Sequence, residues 1–377
     1  MTDRESQFVP EEQRKEDRAK RASELTYPAK LKIRGTVPPE FLERVGRTDE
    51  EIRSVFAGER DKTPEDLESI DYCNQLGRRV GEKYGFEWVR VPPDYIHILS
   101  EEKFAEFYNK LYPEDYSRDS VGAAGAWPHL GICDVPSKYS RVNTMFHEMC
   151  HGESLQRLEL LPEEDQGFFF RVRRGGLVTR VERDGKEQHF FTDINEAITS
   201  RLTQEAFEGF QDDIQPPESL REESAWVRML KEWTRKELGM SIGFDAPRGE
   251  EELRQLEELK KKNADYNEFL RWQYAYQKEY GIWPLKLSYP NERFEYEAVL
   301  NYFQQHLPER FKTADDVHGV FIRAMMNGEI LPFARLMEQN FGRGSLRKLG
   351  EQGLQWLYLE VGSEERKQGI KPKDNLA

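Results

Sequence analysis

Residues 141–158 read Arg-Val-Asn-Thr-Met-Phe-His-Glu-Met-Cys-His-Gly-Glu-Ser-Leu-Gln-Arg-Leu. Val142, Met145, Phe146, Met149, Leu155 and Leu158 recur at roughly helical spacing, and Ser140 stands where an N-cap would. A buried helix is therefore predicted from Arg141 to Pro162. Gly152 allows a kink, since glycine weakens a helix by up to about 1 kcal/mol relative to alanine. Residues four apart share a helix face, so His147 and His151 can grip one metal ion from the same side. Two unliganded imidazoles among apolar neighbours are costly to desolvate, and a metal ion removes that conflict. Glu148 projects beside the pair and can act on a water without being a ligand. Cys150 is one position off the His151 face and reads as a buried, inert thiol.

The pentapeptide His147-Glu148-Met149-Cys150-His151 has the HExxH spacing of zinc hydrolases, in which zinc lowers the pKa of a water to about 7 and the Glu takes its proton. Such a site needs a third protein ligand and an open position. The metzincin pattern is excluded, because Arg157 stands where its third His belongs and Ser154 where its Gly belongs. Residues 193–200, Asp-Ile-Asn-Glu-Ala-Ile-Thr-Ser, resemble the glutamate helix of the gluzincins, the thermolysin-like zinc peptidases, in which an Asn-Glu-Ala step supplies a Glu ligand. The resemblance is specific over residues 147–151 and 193–199 and extends in architecture over 86–210. It implies Glu196 as third ligand, Asn195 as a supporting partner of a zinc histidine, one Zn²⁺ per chain, and a peptide or protein substrate.

Two features depart from that family. The gap from His151 to Glu196 is longer than in thermolysin, and Ser200 replaces the acid often found one turn after the ligand, so the acid that orients His147 is unassigned. Glu196 also has a second reading, because Asp193 and Glu196 form a D-x-x-E helix-start signal. Were Glu196 only a cap, the third ligand would come from Glu153, Asp134, His129 or His189.

The chemistry that the resemblance implies is peptide-bond hydrolysis, with Glu148 as catalytic base and later proton donor to the amine. Tyr289, His306 and His318 are the oxyanion-stabilising candidates in the second half. Two other readings stand beside this one. A non-catalytic interaction protein with a zinc site is disfavoured by Glu148, since a structural zinc would close its fourth position with another ligand. A zinc hydrolase acting on a specialised non-peptide amide is the other. A deformylase is disfavoured, because the Cys-containing motif it carries upstream of HExxH is absent.

Of 377 residues, 33% are charged and 37% apolar, with a formal net charge of −14. That balance argues against a nucleic-acid or anionic-membrane binder. No apolar stretch resembles a signal peptide or reaches membrane-spanning length. Cys73, Cys133 and Cys150 are odd in number and lack CxxC pairing, which fits a reducing compartment. A cytoplasmic location is expected. Nothing in the sequence fixes an oligomeric state.

Along the chain, we expect a charged N-terminal tail (1–35), a zincin-like catalytic region (36–212), a helical C-terminal region (213–361) and a polar tail (362–377). Leu25, Tyr27, Leu31 and Ile33 would let the first segment dock over a cleft. Capping signals place helices near 49–57 and 64–84. Phe86–Val91 and Tyr95–Leu99 read as strands around Pro92-Pro93, and Ser100 opens a helix to Leu111. The Gly/Ala-rich run 122–135 reads as a sheet-edge strand able to pair with an extended peptide, or as a loop. Strands at 168–172, 177–181 and 188–191, turned at Gly175-Gly176 and Asp184-Gly185, form a meander that explains the long gap before Glu196. Helices follow near 218–238, 250–280, 291–306, 314–326, 331–341 and 345–360. The aromatics from Phe269 to Tyr280 read as a core stripe. The fold class is α+β: a small mixed sheet with the HExxH and glutamate helices, then a mostly α-helical half.

Overall fold

Thr63 and Asp66 close a capping box at the start of helix α1 (Pro64–Tyr84), and Gly85 ends it in the left-handed region at φ 74. This is the helix expected over 64–84. The computed structural model describes residues 54–111, 122–126, 129–135, 137–162, 168–183, 186–210, 213–221, 224–225 and 290–367. The 1–35 tail, most of the helix expected at 49–57, nearly all of 218–238 and the whole of 250–280 lie outside the described residues.

After α1 the strand expected over Phe86–Val91 does not form. Its aromatic and branched residues suit a strand, but side chains take the backbone donors that a ladder would use. Val89 N–H donates to Glu153 Oε2 at 3.0 Å, and Val91 N–H donates to Asn74 Oδ1 at 2.8 Å. A single turn at Pro93–Tyr95 leads into β1 (Ile96–Leu99), which is wholly buried. Helix α2 (Glu101–Leu111) follows. The Gly/Ala-rich run forms two strands, β2 (Gly122–Ala126) and β3 (His129–Cys133). β3 lies between β1, to which it is parallel, and β2, to which it is antiparallel, so β2 is the edge of this small mixed sheet.

Helix α3 (Lys138–Glu153) carries the HExxH residues and starts earlier than expected. Its N-cap is Ser137, whose Oγ accepts the N–H of Ser140 at 3.1 Å. It also stops earlier. Ser154 leaves the helix at ψ 159 while its hydroxyl donates to His151 O at 2.6 Å, so the chain turns out into strand β4 (Gln156–Pro162) instead of continuing to Pro162. Gly152 lies within the helix and no kink forms there. β4, β5 (Phe168–Gly175), β6 (Val178–Arg183) and β7 (Lys186–Phe190) form an antiparallel meander in chain order. It extends the expected three strands by one, at the expense of the helix. Helix α4 (Thr192–Gly209) then packs directly on α3.

The C-terminal part holds α5 (Pro290–His306), α6 (Ala314–Met326), α7 (Ile330–Phe341) and α8 (Ser345–Lys367). Pro290 opens α5, where its missing N–H does no harm. Gly353, at φ 75 and ψ −174, breaks α8 into two runs, and the second continues through 362–367 of the expected tail. The described chain is thus mixed α and β and mostly helical. One apolar core joins Met145, Phe146 and Met149 of α3, Ile194, Ala197 and Ile198 of α4, and Phe303, Phe321 and Leu336 of the C-terminal helices. Packing of apolar faces on this scale seats α3 and α4 on a common core.

Candidate metal centre

His147 and His151 leave the apolar stripe of α3 together, and their rings meet edge to face with centroids 4.7 Å apart. Their Nε2 atoms are 3.0 Å apart. Helix α4 sets Glu196 against both, with Oε2 3.2 Å from His147 Nε2 and Oε1 3.3 Å from His151 Nε2. Three side chains that share no chemistry with the core therefore converge on one point. In tetrahedral zinc coordination, with bonds of about 2.0–2.1 Å, ligand atoms lie about 3.3 Å from one another. The three donors already stand close to that spacing, and two imidazoles with one carboxylate are donors that suit zinc. The side chains are 14%, 16% and 20% exposed, so the triad keeps one side open to solvent.

Burial opposes a charge on His151, but the carboxylate of Glu196, and after it that of Glu148, push its pKa up to about 9. Burial likewise opposes ionisation of Glu196, yet His151 and His147 hold its carboxyl well below the usual carboxylate range. The cluster attracts positive charge, whether a proton or a divalent cation. Glu148, only 9% exposed, is close enough to act on His151 electrostatically.

Asn195 joins the site to the meander. Its Oδ1 accepts the N–H of Leu177 at 2.9 Å, and its Nδ2 stands 3.2 Å from His151 Nδ1. Gly176, at φ 60, makes the turn between β5 and β6 that carries Leu177 there, and a Cβ on Gly176 would lie 2.5 Å from Asn195 Oδ1. Asn195, expected from the resemblance to support one of the histidines, is therefore in contact with His151.

Among the described residues the group whose donor atoms converge is His147, His151 and Glu196, and the other candidates stand elsewhere. Glu196 is not a helix cap, because α4 begins two residues before Asp193 could act as N-cap, with Phe191 in that role. Glu153 is 1% exposed and serves Val89. Asp134 is paired with Arg60 at 2.6 Å and with Arg141. His189 is exposed on β7. His129 is buried in a chain that the sequence reading did not anticipate: Glu59 Oε2 lies 2.6 Å from His97 Nδ1, and His97 Nε2 lies 2.8 Å from His129 Nδ1. The available signal was a lone histidine in the otherwise apolar strand Ile96–Leu99.

Of the oxyanion candidates, Tyr289 lies outside the described residues. His318 is wholly buried, with Nδ1 2.8 Å from Tyr296 Oη, and burial holds it neutral. His306 stacks on Tyr302 at the end of α5. Ser200, in the place of the family's acid, is buried with no hydrogen-bond partner for its hydroxyl among the described residues. Cys150 is fully buried, as expected of an inert thiol.

Among the described residues no helix is long and apolar enough to cross a membrane. Comparisons of the chain with protein-family models, with curated proteins and with solved structures returned no match.

Proposed function

We propose that this chain is a zinc-dependent peptidase of gluzincin type, with one zinc ion held by His147, His151 and Glu196. The observation that carries the reading is the convergence of two Nε2 atoms and a carboxylate at 3.0–3.3 Å from two helices far apart in sequence. Glu148 stands beside that cluster and is not part of it. A bound zinc ion would supply Lewis acidity toward a carbonyl and would lower the pKa of a water at its open position.

The chain's own residues supply the proton handling. Glu148 takes the proton of the attacking water and returns it to the leaving nitrogen, the usual task of a carboxylate placed next to, but not on, a metal. Asn195 holds the ring of His151 against the meander. The edge strand β2 supports a peptide substrate, because an extended chain can pair, in the manner of β-augmentation, with the side that no described strand occupies. The net charge of −14 fits neither nucleic acid nor an anionic membrane as partner. Three buried, free thiols fit a cytoplasmic location.

The test is digestion of a peptide library by zinc-loaded wild type and by Glu148→Gln. Wild type should cleave, and the variant should keep its zinc while losing about 10²–10⁴-fold in rate. No cleavage by the zinc-loaded protein, or full activity in the variant, would overturn the proposal.

A further inference from the structure

Helix α4 starts in a way its own sequence does not favour. The D-x-x-E signal would place Asp193 at the N-cap and fold the Glu196 side chain back onto the Asp193 N–H. Instead Phe191 is the N-cap, without a side-chain hydrogen bond and at φ 65, ψ 20. Among the described residues it alone is a non-glycine with positive φ. Such a conformation persists only where surrounding structure holds it. Starting the helix two residues early puts Glu196 one position past the first turn, so its carboxylate has no cap to serve and can reach the histidines.

What holds Phe191 is the C-terminal helix. Phe191 N–H donates to Gly350 O at 3.4 Å. The Phe191 ring lies over Gly350 so closely that a Cβ there would be 2.8 Å from Cζ and 2.9 Å from Cε2. Three residues on, a Cβ at Gly353 would be 2.4 Å from Asp193 Oδ2. Gly353 is also the point where α8 breaks, in a conformation that glycine alone adopts readily. Both residues that decide how α4 begins are thus seated on glycines of α8.

We propose that Phe191, Gly350 and Gly353 are positioning residues for the third metal ligand. By docking Phe191 and Asp193, α8 suppresses the competing Asp193 cap and frees Glu196 to meet His147 and His151. The proposal rests on the reading of the triad as a metal site.

Zinc affinity, measured by competition with a chromogenic chelator well below the melting temperature, tests it. Gly350→Ala adds a methyl against the Phe191 ring and should weaken zinc binding about tenfold while far-UV dichroism is unchanged. Adding Asp193→Ala removes the competing cap, so the double variant should recover to within about threefold of Asp193→Ala alone. A destabilised but correctly assembled helix would lower the melting temperature and leave the affinity of the folded protein unchanged, which would overturn the proposal, as would an equal loss in the double variant. Where Gly350→Ala does not fold, Phe191→Gly serves: it suits φ 65 but removes the ring, and wild-type affinity there would overturn the proposal. A wild type that binds no zinc would refute the metal-site reading itself, an outcome distinct from these.

Discussion

Glu153 Oε2 accepts the backbone N–H of Val89 at 3.0 Å, tying the last residue of α3 to the irregular segment that leads into β1. The side chain is 1% exposed. A carboxylate buried to that degree needs partners, and the Val89 N–H is one of them. The end of the helix that carries His151 is thereby fixed from outside.

Glu153→Ala should cost about 2 kcal/mol in a urea titration, because it removes the carboxylate's hydrogen bond to the part-buried Val89 N–H. Zinc stoichiometry should be unchanged. Loss of zinc without loss of stability would return Glu153 to the list of ligands.

Gly152→Ala should stabilise the protein by about 0.5–1 kcal/mol, since the glycine is inside α3 and alanine restricts the unfolded chain. The space exists: among the described residues a Cβ there meets Leu130 Cδ2 alone, at 3.6 Å. A lower melting temperature would show that the glycine is kept for a bend the structure does not have.

Acid should weaken the network around α1. Burial of Asp66 opposes its ionisation, but Arg60, at 2.7 Å, and Thr63 outweigh it and bring its pKa down to about 2 from 3.8. Asp134 is lowered in the same direction, burial being outweighed by Arg60 and Arg141. A depressed folded pKa contributes stability above the unfolded value, and that contribution is lost as pH falls from about 4 to about 2. For Asp66 it amounts to about 2 kcal/mol. Asp66→Asn should lose this amount at neutral pH and show a shallower acid limb in urea midpoints. An identical limb would contradict the assignment.

Chelation of zinc should abolish turnover and leave far-UV dichroism unchanged, because the core is built from apolar faces that include none of the three ligands. Unfolding on chelation would make the metal structural.

Local signals in the sequence read correctly where the partner was also local. The i, i+4 spacing of His147 and His151 is geometry within one helix, and the Thr63 capping box fixes α1 unaided. That Glu196 meets the two histidines was expected only through resemblance, because its own surroundings offer the D-x-x-E signal, yet α4 begins at Thr192 with Phe191 as N-cap. Phe86–Val91 looks like a strand until Asn74 and Glu153 take its donors. Leu155 and Leu158 continue a helical period, yet the Ser154 hydroxyl caps His151 O, the helix ends at Glu153, and Leu158 lies in β4. In the last two cases a side chain settles the backbone, and its effect is not visible in hydrophobic period.

Elemental analysis of wild type and Glu196→Ala, both expressed in zinc-replete medium and dialysed, tests the central claim most directly. The account predicts about one zinc per wild-type chain and a clear loss in Glu196→Ala. A zinc-free wild type, or a Glu196→Ala protein that holds zinc as tightly as wild type, would contradict it.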